Sequence, residues 1–567
     1  MFSTLPDIYS EWIAWEHYEP YYQDLLTRRL DADNWLRDWT RLRRTWHEVR
    51  QRLWVATTIN TADAAAEQRH SQFLDHTYPQ ILAAEQQVKE KLLASGVEPP
   101  GFRVSLRNLR TEARLFSAEN LPLLSEEEKL KNEYDSIVGA QTVLWEGQEL
   151  TPVQLSRLYH HPDRSIRERA WMLAAARWLE DRQAINDLWK RNLDLRRRIA
   201  DNAGQPDYRA YMWHKLLRFD YSPQDCQTFH EAIEQVVVPA ASQIYEKRRR
   251  RLGVKTLRPW DLEVDPFGQP PLQPFKTSTK LEETTAIIFR QVDPALGEYF
   301  ETMRREGLLD LENRKNKAPG AYCTDFPISR RPFIFANAVG MHDDVQTLLH
   351  EGGHAFHVFE SADLPYGWHI QTPMEFLEVA SMGMELLAAP YLEQERGGFY
   401  TRQEAARARI ETLERMLLFW PYMAVVDGFQ HWVYTNPDAA QDADNCDATW
   451  AEIWRRFMPG VDWSDLEQEL CTGWQRKSHI HQDPFYYVEY GMAQLGAVQI
   501  WRNSLSDQAG AVAAYRRALA LGDTVTLPEL YAAAGARFAF DARTLQQAVK
   551  LMLSVISALE ETVKSSR

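Results

Sequence analysis

The chain has 567 residues and a formal net charge of −15, with 44% hydrophobic and 26% charged residues. That length exceeds what a single hydrophobic core holds, so two or more domains or subdomains are expected. The acidic balance disfavours nucleic acid and anionic membrane as partners, because both reward basic surfaces.

The chain opens M-F-S-T-L-P-D-I-Y-S-E-W, with no basic region followed by an apolar core, so no signal peptide is expected. No run of 18 or more apolar residues marks a transmembrane helix. Apolar residues at Trp35, Leu36, Trp39, Leu42, Trp46, Val49 and Leu53 recur at three and four, one face of a helix. Similar patterns fill Ala64–Ser95, Leu155–Asn202 and Pro223–Arg251. The 20 Trp, 23 Tyr and 23 Phe read mainly as helix-packing side chains, some free to line a groove for apolar ligand groups. Cys226, Cys323, Cys446 and Cys471 are scattered without a C-x-x-C pair. That spacing suggests neither a structural zinc site nor a disulfide framework, and it points to a reducing cytoplasm.

The proline-rich stretch from Arg258 to Phe275 reads as a long irregular connection. After it, two short β-prone runs, Ala321–Phe326 and Phe333–Asn337, flank Pro327, Ser329 and Pro332. They read as a hairpin or two strands of a small sheet, and the prolines suggest an edge position.

Next comes T-L-L-H-E-G-G-H-A-F-H-V-F, residues 347–359. His350-Glu351-Gly352-Gly353-His354 fits H-E-x-x-H. On a helix the two histidines share a face and suit one Zn²⁺ ion, and Glu351 stands where a general base on the attacking water is needed. His357 shares the face, but ligands on consecutive turns close poorly round one ion, so packing or support of a ligand is expected of it. Metzincins need Gly at 357 and His at 360; the chain has His357 and Glu360, which excludes that class. Two adjacent glycines in a helix cost roughly 1 kcal/mol each against alanine. They suggest that the helix passes close to another element or to the substrate strand.

A third ligand must come from elsewhere. Gln371-T-P-M-E-F-L-E-V-A-S-M-G-M-E supplies Glu375, Glu378 and Glu385. Thr372-Pro373-x-Glu375 reads as a capping box, giving Glu375 a structural or supporting task. Glu378, one turn deeper and 24 residues beyond His354, is the expected ligand. Glu385 lies on the same face and could orient a ligand histidine. Further on, Asp483-Pro484 reads as an N-cap with proline at the first helical position, placing Tyr486 and Tyr490 on one face.

H-E-G-G-H-A-F-H followed by E-F-L-E-V-A-S-M-G-M-E resembles the zinc peptidases of the oligoendopeptidase F and thimet oligopeptidase group (family M3), the oligoendopeptidase F branch most of all. Ala380 stands where many members have proline. The resemblance runs from about Ser165 to Met552. It implies that His350, His354 and Glu378 bind one Zn²⁺ per chain, with Glu351 as base. It also implies that His479, Tyr486 and Tyr490 stabilise the reacting carbonyl; His481 and Tyr487 are near rivals. Lys317–Asn337 resembles the family's substrate-pairing strand, so Gly320, Ala321, Tyr322 and Asn337 are expected to meet the peptide.

The expected fold is mainly α, a two-lobed helical zinc peptidase with a small sheet beside the H-E-x-x-H helix. Residues 1–165 form an N-terminal helical lobe and 166–567 the catalytic domain. The expected function is a cytoplasmic oligopeptidase hydrolysing internal bonds of short peptides. One rival is a helical zinc carboxypeptidase, for which Arg476 and Lys477 could bind the substrate's C-terminal carboxylate. Another is a binding scaffold without catalysis. Nothing in the sequence sets the oligomeric state.

Overall fold

The computed structural model describes residues 12–564 together with Phe2 and Leu5, so the signal-peptide expectation falls largely outside the described residues. Helices dominate. The tryptophan-rich pattern forms helix α1 (Ala32–Ile59), and its seven predicted apolar positions are all buried. The Ala64–Ser95 pattern is helical with a π-helical turn at Phe73–Thr77. Leu155–Asn202 is not continuous. Pro162 interrupts it, and Asp163 then caps a new helix, Arg164–Glu180, by accepting from the Ser165 amide. Helix α2 (Pro223–Leu252) starts on a reciprocal Ser222–Asp225 capping box and ends at Gly253, whose φ of 66° is left-handed. The connection from Arg258 to Phe275 is irregular apart from a short helical turn, Pro259–Asp261, and a tight turn closed by the Gly268 amide on the Asp265 carbonyl.

Strands β1 (Val143–Trp145) and β2 (Gln148–Leu150) form a small hairpin. Strands β3 (Leu309–Glu312), β4 (Tyr322–Phe326) and β5 (Arg331–Ala338) form a sheet in the order β3-β5-β4. The expected hairpin is β4 with β5, antiparallel. The sequence did not reveal β3, which runs parallel to β5. Nor is Pro332 on an edge strand: it lies in central β5. Its pairing with β3 begins only at Ile334, so the missing N–H interrupts no ladder there.

Four further helices build the site: α3 (His342–Ser361), α4 (Met374–Ala388), α5 (Arg402–Thr435) and α6 (Tyr487–Ser504). One hydrophobic cluster gathers Phe2 to Leu109 with Tyr366 and Trp368; a larger one runs from Leu123 to Val563. Leu123, Leu130 and Tyr134 belong to the larger cluster, so the change of core precedes residue 165. Helix α1 is fastened to the sheet by Thr58 Oγ1 and Tyr322 Oη at 2.5 Å, by His47 Nε2 and Asp325 at 3.1 Å, and by Glu48 accepting from the Ile328 and Ser329 amides. Among the described residues no helix is long and apolar enough to cross a membrane.

Candidate active site

The site begins with how closely two helices meet. A Cβ on Gly353 would lie 2.4 Å from the Ala380 carbonyl oxygen and 2.6 Å from Ser381 Cα, so α3 and α4 touch backbone to backbone there. Gly352 instead makes room for the Phe289 ring, 2.5 Å from its would-be Cβ. Both glycines thus answer to neighbouring elements. The close approach brings Glu378 Oε2 to 3.4 Å from His350 Nε2 and 3.9 Å from His354 Nε2. Glu385 Oε1 lies 2.7 Å from His350 Nδ1, which turns the other ring nitrogen toward Glu378. Ser381 Oγ donates to Glu378 at 3.1 Å.

The electrostatics follow from burial and these contacts. Burial alone would lower His350, but its bonds to Glu378 and Glu385 prevail and hold it well above the usual histidine range. Burial, reinforced by the charge on His350, pulls His354 down to about 4. Glu378 stays low: burial works against ionisation, and the two histidines outweigh it. Burial pushes Glu351 up to about 7, helped by the charges of Glu378 and Glu385 and opposed by His350. A divalent cation among the neighbouring donors would draw Glu351 back down.

The aromatic wall forms differently from the expectation. Helix α6 begins at Tyr487, and Asp483 makes no side-chain cap. Phe485 takes a left-handed φ of 67°, and this turn sets the direction of Tyr486. Gln430 Oε1 holds the Phe485 amide at 2.8 Å, and Arg218 donates to the Phe485 carbonyl and to Glu489, each at 2.6 Å. Tyr486 Oη reaches Glu378 Oε1 at 3.4 Å, and its ring lies 5.1 Å from Tyr490 and 6.0 Å from His479. Burial, then the Glu378 charge, raises both tyrosines well above the ordinary range, so their hydroxyls stay protonated. Burial lowers His479 to about 4, and the neighbouring Lys477 adds to it. His481 is placed elsewhere: it is fully buried, its ring 4.4 Å from Tyr134 and 5.9 Å from Trp474. Tyr487 packs on Phe419, Tyr422 and Lys477.

The capping box at Thr372 is not formed. Helix α4 starts at Met374 without a side-chain cap, because the Thr372 hydroxyl meets His357 Nε2 at 3.0 Å. Glu375 accepts from Tyr221 Oη at 2.6 Å, with Arg218 Nε 3.9 Å away, and touches no expected ligand. His357 likewise touches none of them. Sequence reasoning missed Arg218, Tyr221, Gln430 and Glu489; their partners are distant in the chain and no local pattern marks them.

Near the sheet, Gly320 and Ala321 are exposed. Asn337 Nδ2 staples the approach to β4 by donating to the Ala318 and Gly320 carbonyls at 2.8 and 2.9 Å. The Tyr322 ring stacks on Phe335. Both side chains therefore have structural partners, and β4 is an edge strand of its sheet. A cavity of about 420 Å³ borders it, lined by Thr324, Asp325, His354, Glu378, Arg43 and Arg44. Arg476 is engaged with the Glu469 carbonyl at 2.7 Å.

A model of peptidase family M3 matches residues 157–550. Oligopeptidase PepF of Bacillus subtilis (strain 168) is 24% identical over 235 residues, 39% of this chain. The aligned stretch spans 33% of that protein's length. PZ peptidase A, solved with an inhibitor, superposes with a TM-score of 0.87 at 27% identity, covering 99% of both chains. A structure assigned as an oligoendopeptidase F superposes with a TM-score of 0.85 at 27% identity, covering 100% of this chain and 98% of its own.

Proposed function

The chain belongs to peptidase family M3, and from that premise we propose that it is a zinc-dependent oligopeptidase that cleaves internal bonds of short peptides. The observation that carries this reading is the convergence of His350 and His354 on one oxygen of Glu378, with Glu351 buried beside them. Two imidazoles and a carboxylate suit Zn²⁺, and three protein ligands leave the open position that a catalytic site needs. His350, His354 and Glu378 would hold the ion. When bound, it supplies a Lewis acid that polarises the scissile carbonyl and eases deprotonation of water.

The rest falls to the protein. Glu351 accepts the proton of the attacking water and passes it to the leaving nitrogen. Tyr486 and Tyr490 stay protonated and donate to the oxygen on which charge develops. His479, beside Tyr486, keeps that wall in position. The outer edge of β4 pairs with the backbone of an extended peptide and asks for no particular side chain. All four cysteines are unpaired, which fits a reducing compartment such as the cytoplasm.

An internally quenched peptide blocked at both ends provides the test. Cleavage abolished by chelator and restored by zinc supports the proposal. Cleavage confined to peptides with a free C-terminal carboxylate would make the chain a carboxypeptidase. No cleavage of any peptide would leave a binding scaffold.

A further inference from the structure

We propose that the chain carries a second metal site, closed and structural, between helices α2 and α5. Cys226 and His230 lie four residues apart on α2, and Asp427 and His431 four apart on α5. That spacing puts each pair on one face of its helix. The faces meet: Cys226 Sγ, an Asp427 oxygen and a His431 ring nitrogen all lie within 4.8 Å of one another. His431 Nε2 is 3.3 Å from Asp427 Oδ2, and His230 Nε2 is 2.9 Å from the same oxygen. Donors bound tetrahedrally to zinc stand about 3.3–3.8 Å apart, close to the His431–Asp427 separation and to those at His350, His354 and Glu378; His230, nearer to Asp427 than that, stands outside the three-donor group.

Hydrogen bonding gives an independent sign. Cys226 and Asp427 are 0% exposed, His431 5% and His230 7%. No hydrogen bond reaches either oxygen of Asp427, either ring nitrogen of His431, or His230 Nε2. Co-ligands behave this way, because their lone pairs converge on a shared point. The walls are the rings of Trp213, Phe457 and Phe485. A carboxylate sealed in such a place needs a paired charge or a metal.

One thiolate, one imidazole and a carboxylate favour Zn²⁺ over Mg²⁺ or Ca²⁺. Three protein donors, Cys226, Asp427 and His431, all buried away from the cavity, describe a site closed to substrate. Coordination displaces the Cys226 thiol proton to solvent. The His431 ring lies 5.3 Å from Phe485, and Gln430 beside it holds the Phe485 amide. The site therefore braces the turn that aims Tyr486.

The test uses the full chain as a His350→Ala/His354→Ala variant, which removes two donors from the open cluster. After desalting, the expected result is one zinc per chain by elemental analysis. Cobalt exchange should give a thiolate-to-cobalt absorption band in the near ultraviolet, which the open cluster cannot produce because it has no cysteine. Cys226→Ser should abolish the band. A folded double variant that binds no metal and shows no band overturns the proposal, and this holds even if Cys226→Ser does not fold.

Discussion

The molecule holds two clusters built by the same local rule. In the open one, α3 offers His350 and His354 four residues apart, and α4 contributes Glu378. In the closed one, α5 offers Asp427 and His431 at that spacing, and α2 contributes Cys226. The donor separations are alike, but the surroundings are not. The side chains of His350 and His354 are 25% and 20% exposed, the latter lines the cavity, and Glu351 stands between the two histidines in sequence. The closed cluster is buried and walled largely by aromatic rings. Helical spacing makes a cation site; an adjacent base and room for a substrate turn it into chemistry.

The largest effect should separate base from ligand. Glu351→Gln is expected to lower kcat by about 10²–10⁴ while elemental analysis finds the metal content unchanged. Retained activity with full metal would remove the base from the open cluster and erase the contrast. Tyr486→Phe comes next: loss of one donor to a developing oxyanion costs about 10² in kcat. KM should change little, and steady-state kinetics on the quenched peptide would tell. A larger change in KM than in kcat would make Tyr486 a substrate-binding group. Glu385→Gln should then weaken metal binding by about 10–100-fold, read by competition with a chromophoric chelator. Its target is the 2.7 Å contact with His350 Nδ1. The cobalt–thiolate band assigned to Cys226 should not move, because Glu385 touches none of that cluster.

The open cluster was legible in the sequence because His350, Glu351 and His354 are neighbours on one helix, and Glu378 follows on the next. The closed cluster was not. Its cysteine has no nearby cysteine, and C-x-x-x-H and D-x-x-x-H lie about 200 residues apart. Only tertiary packing joins them. Strand β3 escaped for a related reason: four residues whose parallel partner lies more than 20 positions away carry too little local pattern. The failed caps at Thr372 and Asp483 show the opposite error. The local signal was present, but His357 had already claimed the Thr372 hydroxyl, and the turn at Phe485 delayed α6.

The smallest effects test what brings α4 to the histidines. Two glycines, one on each of these helices, differ in what lies opposite. At Gly353 an added Cβ meets the backbone of Ala380 and Ser381, which can yield only if α4 moves away. Gly353→Ala should therefore destabilise the fold by ~1–3 kcal/mol despite its better helix propensity. It should also weaken metal binding, because Glu378 travels with α4. At Gly383 the added Cβ finds the Tyr515 ring at 3.4 Å, an ordinary contact. Gly383→Ala should gain up to about 1 kcal/mol from propensity alone and leave metal affinity unchanged. Urea unfolding of both variants with chelator present would compare them directly. Equal stability would mean that helix propensity governs both positions, and the backbone contact at Gly353 would then have no part in setting the ligand geometry.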